Sequence, residues 1–302
     1  MALAIPTKNR PADLGATIES LLEQTMLPQQ LIIVDQSVSD EGQRQVEAAF
    51  SRAPEKIRDS VELCYLRDAS LCGLTSARNR SLALVRGDIL LFLDDDVILE
   101  REFIEEVVRA YSRYPDAVGV GGIISNYGPP PRLLRWWERF FVRGPFHDDR
   151  QPIYWRAGSL RRSEPLRVTR LGGGLMSFRT TAIAGLRFDE NLGGSCVGED
   201  VEFCTRLGPH ALLLIAPKAR LVHKRTSVAR SEESFLHRHA RTMWYLYRKN
   251  WNVGFKNRVC LLWLNVGYSV VATLGSVHHR SFDPWRGLLA AIRESGQSAE
   301  RK

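Results

Sequence analysis

The chain has 302 residues, of which 44% are hydrophobic and 25% are charged, and its formal net charge is +8. This length and composition predict one main α/β domain with an appendage and exclude a low-complexity or repeat protein. The basic excess suits phosphates, nucleic acid or anionic lipid without choosing among them. The five cysteines show neither paired zinc-site spacing nor a secretory signal upstream, which favours free thiols in a reducing, cytosolic setting.

The first half of the chain alternates short apolar runs with segments of helical spacing. We predict strands over Ala2–Ile5, Leu31–Val34, Leu63–Leu66, Ile89–Leu93 and Val118–Ile124, and helices over Asp13–Gln24, Glu41–Phe50, Ser76–Val85 and Glu100–Arg113. Repeated βα units of this kind predict a parallel sheet that is covered by helices on its faces. Such sheets bind ligands at the carboxyl ends of their strands, where Asp35 and the triplet Asp94, Asp95 and Asp96 lie.

The alternation breaks at about residues 127–170, a basic and aromatic segment that we interpret as an insertion or an amphipathic helix. After it we predict a strand over Leu175–Phe178, a helix over about Val201–Leu207, a strand over Leu212–Ile215 and a long helix over Glu232–Asn250. The apolar segment Val259–Gly275 lies at the lower edge of the length that spans a bilayer.

Three consecutive aspartates follow the predicted strand Ile89–Leu93. Because side chains alternate along an extended chain, Asp94 and Asp96 should lie on one side and Asp95 on the other. Adjacent carboxylates repel each other, so their convergence favours a divalent cation, which prefers hard oxygen ligands. The alternative is an ordinary turn or helix cap at the end of the strand.

The segment Phe92–Val97, with Arg86–Leu90 before it, resembles the Asp-x-Asp region of the family 2 inverting glycosyltransferases of GT-A fold. The resemblance implies an α/β fold with a Rossmann-like, mostly parallel mixed sheet, helices on both faces and, here, a C-terminal helical extension. It also implies that Mg²⁺ or Mn²⁺ is held against the donor diphosphate. Asp96 would be a direct ligand, and Asp94 would share the metal or face the donor ribose.

Other landmarks of that family follow in the expected order, and this shared order favours function over a set of unrelated turns and caps. The segment Ile5–Arg10 resembles the loop that borders the nucleoside, and Asp35 resembles a residue that hydrogen-bonds the base. In the segment Gly73–Asn79, which resembles a Gly...Ala-Arg-Asn stretch, Arg78 would meet the base or the diphosphate. The predicted donor-binding residues are Pro6, Thr7, Asn9, Arg10, Asp35, Arg78, Asp94 and Asp95.

Glu199 and Asp200 precede a short predicted helix, at a position where the helix dipole favours an ionised carboxylate. On sequence grounds alone Asp200 could simply cap this helix. The pair resembles the Glu-Asp motif of the family, in which the Asp deprotonates the acceptor hydroxyl and the Glu supports it or binds the acceptor. The predicted catalytic residues are therefore Asp200 and Glu199, and the resemblance implies inversion by a single displacement.

Two further parts of the sequence complete the predicted site. The run Gly172–Arg179 resembles the small-residue strand of the family, so Gly173 and Gly174, together with Glu199, are the predicted acceptor-binding residues. His223 occupies the place of a histidine that touches the metal or diphosphate in many members, which makes Asp94, Asp96 and His223 the predicted metal ligands. Residues 224–234, rich in Ser and Arg, are predicted to close over the donor.

We therefore expect a catalytic domain over residues 1–225 and a helical, membrane-associated region over residues 226–302. The basic helix Glu232–Asn250, the aromatic segment Leu133–Arg143 and the apolar Val259–Gly275 favour a peripheral position at the cytoplasmic face of an anionic membrane. Ordinary buried core is the alternative for these segments. Family habits suggest a UDP, dTDP or GDP sugar donor and a saccharide or lipid-linked acceptor in cell-surface polysaccharide or glycolipid biosynthesis.

Three other functions are less consistent with the sequence. A sugar-phosphate nucleotidyltransferase would normally carry a glycine-rich phosphate loop after its first strand, which Pro6–Arg10 lacks. A catalytically silent nucleotide-binding or membrane-scaffold protein has no chemical need for Asp96 and Asp200. No helix-turn-helix, zinc or RNP-type pattern accompanies the arginines, which argues against nucleic-acid binding.

Overall fold

The computed structural model describes residues 1–156, 164–192, 198–224 and 235–297, and the chain divides into two compact units. The first unit comprises residues 1–129 and 149–227, and the second comprises residues 130–148 and 228–302. This division lies close to the boundary expected at residue 225. It differs in that residues 130–148, part of the predicted insertion, group with the C-terminal helices.

Among the described residues, one nine-stranded sheet forms the centre of the first unit. Its strands are β1 (Ala2–Thr7), β2 (Gln30–Asp35), β3 (Glu62–Arg67), β4 (Ile89–Leu93), β5 (Val97–Leu99), β6 (Ala117–Ile124), β7 (Leu166–Val168), β8 (Leu175–Arg179) and β9 (Leu212–His223). The order across the sheet is β3-β2-β1-β4-β8-β6-β9-β5, and β7 also pairs with β9. The predicted mixed α/β sheet is confirmed, with a parallel half made of β3, β2, β1 and β4.

The described α-helices are α1 (Pro11–Leu22), α2 (Glu41–Arg52), α3 (Glu55–Ser60), α4 (Gly73–Leu82), α5 (Phe103–Arg113), α6 (Arg132–Phe141), α7 (Gln151–Trp155), α8 (Glu199–Arg206), α9 (Phe235–Leu246), α10 (Phe255–His279) and α11 (Asp283–Gln297). Helices α6, α9, α10 and α11 belong to the second unit, and the others belong to the first. The two longest described helices, α10 and α11, are therefore both in the second unit.

Within the parallel half of the sheet, β1, β2 and β4 are buried, as continuous apolar strands predict, whereas the edge strand β3 is partly exposed. Leu3 and Ile5 of β1 point into a core that includes Ile18 of α1, whereas Ala2 and Ala4 point into a second core on the opposite face. Every residue of β1 and β2 is buried because helices cover both sides. Helices on both faces of the sheet are therefore also confirmed.

Three features of the sheet were not predicted. The strand expected at Leu212–Ile215 continues to His223, because after pairing with β6 it goes on to pair with the short strand β5. The strand β5 itself follows the aspartate triplet immediately. In addition, β8 runs antiparallel to both β4 and β6, which strand patterns alone do not determine.

The second unit is built around α10. Trp137 of α6 donates a hydrogen bond from Nε1 to the carbonyl oxygen of Gly267 at 3.0 Å. A Cβ at Gly267 would lie 2.6 Å from the ring of Phe141, so glycine lets α6 approach this closely. The predicted helix Glu232–Asn250 appears as α9 followed by a π-helical turn over Tyr247–Trp251, and its first three residues lie outside the described ones. By length and composition, α10 could cross a membrane.

Candidate active site

Two carboxylates and one imidazole converge where β4 ends. The candidate ligand atoms of Asp94, Asp96 and His223 all lie within 4.8 Å of one another. His223 Nε2 is 3.4 Å from Asp94 Oδ2 and 3.5 Å from Asp96 Oδ1. Strand pairing brings them together, because Val97 of β5 lies opposite His223 of β9 and the Lys224 amide donates to the Asp96 carbonyl oxygen at 2.9 Å.

This donor set fits a divalent cation. Carboxylate oxygens suit Mg²⁺ and Mn²⁺, and an imidazole nitrogen is an acceptable further ligand for a transition metal such as Mn²⁺. Burial opposes ionisation of Asp94, but the hydrogen bond to His223 and the charges of Arg78 and Arg10 outweigh it and lower the pKa of this carboxyl. The three residues predicted as metal ligands therefore lie together in a form that could coordinate a cation.

Asp95 lies with Asp96 in the turn between β4 and β5, and Arg10 Nη1 is 3.0 Å from Asp95 Oδ1 and 3.3 Å from Asp96 Oδ2, so the alternation expected for an extended chain does not separate these two carboxylates. Thr7 Oγ1 donates to Asp95 Oδ2 at 2.6 Å, and Arg10 Nη1 donates to Asp95 Oδ1 at 3.0 Å. Burial, helped by the charges of Asp94 and Asp96, raises the pKa of Asp95 to about 6 against the opposing effect of Thr7 and Arg10. Asp95 thus connects the end of β1 and the loop after it to the turn after β4.

The predicted nucleoside loop is ordered by contacts within the protein. Asp35 is fully buried: it accepts hydrogen bonds from the Ser37 amide at 2.8 Å and from the Tyr65 hydroxyl at 2.6 Å. Asn9 has a left-handed φ of 57° and donates from its amide to Ser37 Oγ at 2.7 Å. Pro6 lies inside β1, opposite a residue of β2. The donor contacts assigned to these residues remain predictions.

Arg78 joins the two acidic parts of the site. Its side chain is 1% exposed, and Nη1 donates to Glu199 Oε1 at 2.9 Å. Nη2 donates to the Gly173 carbonyl oxygen at 2.7 Å and lies 3.7 Å from Asp94 Oδ1. The guanidinium also lies over two phenylalanine rings. Arg78 was predicted to contact the donor, and in the structure it holds the aspartate triplet and the Glu-Asp pair next to each other.

The glycine run allows these groups to approach the backbone. A Cβ at Gly173 would lie 2.7 Å from Glu199 Oε1, and a Cβ at Gly174 would collide with the Asp94 carboxylate. Neither position could carry a larger residue without moving an acidic side chain. The glycines predicted as acceptor-binding residues thus lie between Asp94 and Glu199.

Asp200 is the second residue of α8 and is held by three donors. Its Oδ1 accepts from the Val201 amide at 2.8 Å, and its Oδ2 accepts from the Gly173 amide at 3.2 Å. Arg150 Nη1 lies 2.6 Å from Asp200 Oδ2 and also donates to the Leu171 carbonyl oxygen. Sequence reasoning missed Arg150, because it lies in an irregular basic segment just before a five-residue helix and belongs to no motif.

Glu199, the first residue of α8, has an altered pKa. Burial, with the charge of Asp200 as the next cause, raises the pKa of Glu199 to about 7 despite the neighbouring Arg78. Near neutral pH this carboxyl therefore exists in both forms and can donate or accept a hydrogen bond. Of the loop predicted to close over the donor, residues 225–234 lie outside the described residues.

Comparison with known proteins gives matches to one class of enzyme. The profile of Glycosyl transferase family 2 matches residues 2–187. Over 108 residues the chain is 32% identical to the glucosyl-dolichyl phosphate glucuronosyltransferase of Haloferax volcanii, which covers 36% of this chain and 32% of the relative. Over 130 residues it is 30% identical to a validoxylamine A glucosyltransferase of Streptomyces hygroscopicus subsp. limoneus, with coverage of 43% and 27%. The matches thus span between a quarter and a third of the length of these relatives.

Solved structures show the same fold. TarS from S. aureus (residues 1–349) matches with a TM-score of 0.60 at 15% identity, covering 99% of this chain and 80% of that one. The mannosyltransferase PcManGT from Pyrobaculum calidifontis, solved with GDP-Man and Mn²⁺, matches with a TM-score of 0.57 at 14% identity, covering 99% and 86%. At such identities the likeness establishes the fold alone, and the predicted GT-A fold is confirmed.

Proposed function

Because the chain belongs to Glycosyl transferase family 2 and is a glycosyltransferase, we propose that it moves a sugar from a nucleoside-diphosphate donor to an acceptor hydroxyl with inversion. The observation that carries this proposal is the pair of contacts made by Arg78. One buried guanidinium lies 2.9 Å from Glu199 and 3.7 Å from Asp94. Gly173, whose carbonyl oxygen accepts from the same guanidinium, donates its amide to Asp200, so the candidate metal ligands and the candidate base lie in one site. The family match gives no support to the nucleotidyltransferase or silent-scaffold alternatives.

The donor side of the reaction needs stabilisation of negative charge. A bound Mg²⁺ or Mn²⁺ would neutralise the departing diphosphate, and Asp94, Asp96 and His223 would hold it. Arg10 Nη1 lies 3.3 Å from Asp96 Oδ2, and the Arg10 side chain is one quarter exposed. Its positive charge would add to the stabilisation of the departing diphosphate. Nucleoside-diphosphate donors are supported by solved neighbours, since PcManGT was crystallised with GDP-Man and TarS with UDP-GlcNAc. For this chain UDP, dTDP and GDP sugars are all candidates.

The acceptor side needs a base. Asp200 would take the proton of the acceptor hydroxyl as that oxygen attacks the anomeric carbon, and the bond to the diphosphate breaks on the opposite face. Arg150 and the Gly173 amide fix the direction of this carboxylate. Glu199 and the two glycines beside it would position the acceptor. One displacement of this kind inverts the anomeric configuration.

One relative supports the proposed acceptor class. The Haloferax protein is named for transfer to a glucosyl-dolichyl phosphate, which is a lipid-linked sugar. We therefore include a lipid-linked or saccharide acceptor, cell-surface polysaccharide or glycolipid synthesis, and a peripheral position at the cytoplasmic face of a membrane in the proposal.

Calorimetry tests the donor site directly. UDP, GDP and dTDP are titrated into the protein with and without Mn²⁺, using the wild type, Asp96→Asn and His223→Ala. We expect one nucleotide to bind in a Mn²⁺-dependent manner, and both substitutions to weaken that binding at least about 10–100-fold because a ligand is lost. The matched control is Asp116→Asn, an exposed aspartate in the turn before β6, which should bind like the wild type. Unchanged Mn²⁺-dependent binding by Asp96→Asn would refute the metal assignment.

A further inference from the structure

The positive charge of the chain is concentrated in the second unit. Its described residues, 130–148 and 235–297, contain thirteen Arg and Lys but only four Asp and Glu. The first unit, residues 1–129 and 149–227, contains twenty-six basic and twenty-seven acidic residues, which is close to balance. The net charge of +8 is therefore a property of the helical unit and not of the catalytic one.

The helix α6 exposes an apolar stripe within this basic unit. Leu133 is 78% exposed and Trp136 is 72% exposed, and Phe140 continues the same face at helical spacing. Arg132 and Arg139 are exposed beside this stripe. Apolar side chains next to arginines on one short helix are typical of a membrane-surface helix.

The helix α10 exposes a second stripe. Its exposed apolar residues recur every three or four positions, which places them on one face: Val259, Leu262, Val266, Val270, Leu274 and Val277. They extend over about 27 Å of helix, at about 1.5 Å per residue. The stripe contains no charged residue, whereas Lys256 and Arg258 precede it and Arg280 follows it.

The two stripes join at Trp263. Its ring lies 5.2 Å from the ring of Phe140 and 5.4 Å from that of Phe141, and its Nε1 donates to the Phe140 carbonyl oxygen at 2.8 Å. The exposed faces of α6 and α10 therefore form one continuous apolar surface with basic residues around it. Contiguous exposed apolar surface of this size marks an interaction site.

We propose that this α6–α10 surface docks in the plane of an anionic phospholipid bilayer. The apolar stripes enter the boundary between head groups and acyl chains, and the surrounding arginines and lysines contact the phosphates. The excess of basic residues favours a partner with negative charge. The absence of Asp, Glu, Lys and Arg between Arg258 and Arg280 favours a partner with a hydrocarbon interior, and an anionic bilayer has both properties. This surface would bring the enzyme to a lipid-linked acceptor. That role rests on the proposed function, whereas the docking itself is inferred from the surface alone.

The packing of α6 favours docking in the plane over a span. Trp137 of α6 contacts Gly267, which is the midpoint of α10. If α10 crossed the bilayer, α6 would lie at mid-depth with Arg132, Arg135 and Arg139 in or near hydrocarbon. Charged side chains at that depth are strongly unfavourable. With α10 parallel to the surface, these arginines remain at the head groups.

Vesicle flotation tests the proposal with the full-length protein and no added nucleotide or metal, so its outcome is independent of the donor site. The vesicles are phosphatidylcholine with or without phosphatidylglycerol. We expect binding to the anionic vesicles, weaker binding to the neutral ones, and release by an alkaline carbonate wash. The double variant Leu133→Ser/Trp136→Ser should partition at least about 10-fold more weakly, because two side chains no longer enter the membrane.

A second double variant, Leu262→Ser/Leu274→Ser, tests α10 separately, and circular dichroism melts establish that each variant folds. The matched control Met26→Ser/Val38→Ser removes two exposed apolar residues from the first unit and should bind vesicles like the wild type. Absence of wild-type binding to anionic vesicles would overturn the proposal. So would normal binding by both stripe variants, or retention of the wild type after the carbonate wash, which would indicate a spanning helix.

Discussion

In the first unit, most charged side chains around the site are buried and all those described above are paired, whereas in the second the arginines outnumber the acids and several face solvent. Arg78 and Arg150 each bind a carboxylate at less than 3 Å and are less than a tenth exposed. Arg132 and Arg139 lie exposed beside an apolar stripe. Buried pairs fix the direction of reacting groups in a medium of low dielectric constant, while exposed charge of one sign attracts a partner over a longer range.

The largest expected effect concerns the paired carboxylates of the first unit. Asp200→Asn should lower kcat by about 10²–10⁴-fold, because the acceptor hydroxyl loses its base. Donor affinity and vesicle binding should be unchanged, since neither uses this carboxylate. Steady-state kinetics, calorimetry and flotation measure the three quantities, and turnover close to that of the wild type would remove Asp200 as the base.

Arg150 provides the companion substitution. Arg150→Gln should lower kcat by about 10–100-fold, because Asp200 loses the group that orients it. Arg150→Lys should retain more activity than Arg150→Gln, since it keeps the positive charge. Equal kcat values in the wild type and Arg150→Gln would show that the ion pair plays no part in turnover.

The next effect concerns stability and its dependence on pH. The raised pKa of Glu199, about 7 against an ordinary 4.5, means that the folded protein holds a proton which the unfolded chain releases between these pH values. Stability from this carboxyl is therefore lost as pH rises through that window. Glu199→Gln should be about 1–3 kcal/mol more stable than the wild type at pH 8 and nearly equal at pH 4.5. Denaturant unfolding at both pH values measures the difference.

Glu202 is the matched control on the same helix. It is fully buried and pairs with Arg206 at 2.7 Å, so Glu202→Gln should lower stability at pH 8 by about 3 kcal/mol or more. If both glutamine variants changed stability in the same direction at pH 8, the environment assigned to Glu199 would be incorrect.

The smallest expected effect concerns the exposed arginines of the second unit. Arg139→Gln should weaken binding to anionic vesicles by about fivefold, because each basic residue near such a surface contributes about 1 kcal/mol. Sugar transfer to a soluble acceptor should be unchanged. The effect should vanish at 1 M salt, where charges are screened within about 3 Å. Flotation at two salt concentrations checks it, and a salt-independent loss would point to altered packing of α6.

Much of the first unit could be predicted from sequence, because the central parallel strands β1, β2 and β4 are buried and consist of apolar runs. The predicted strand Ile89–Leu93 coincides with β4. The expected separation of Asp95 from Asp96 could not be inferred in the same way, because both residues lie in a turn after the strand and Arg10 Nη1 contacts both carboxylates. Side-chain alternation is a local rule that applies only while the chain is extended.

Features that depend on distant pairing could not be predicted. The strand β5 has only three residues and forms because it pairs with the end of β9, and the extension of β9 passes through Pro217 and Lys218, which interrupt an apolar pattern. Arg150 reaches Asp200 from a segment with no recognisable motif. Such contacts exist only after the chain has folded.

Strand pairing at the last three residues of β9 limits where insertions and deletions can occur in this part of the sequence. The register of β9 against β6 is irregular between Ile215 and Arg220, so an added residue could be absorbed there. From Leu221 to His223, however, β9 pairs without a break with β5. Because side chains alternate, deleting one residue there would turn the imidazole to the opposite face. Homologous chains should therefore vary in length before Arg220 and keep a constant spacing after it.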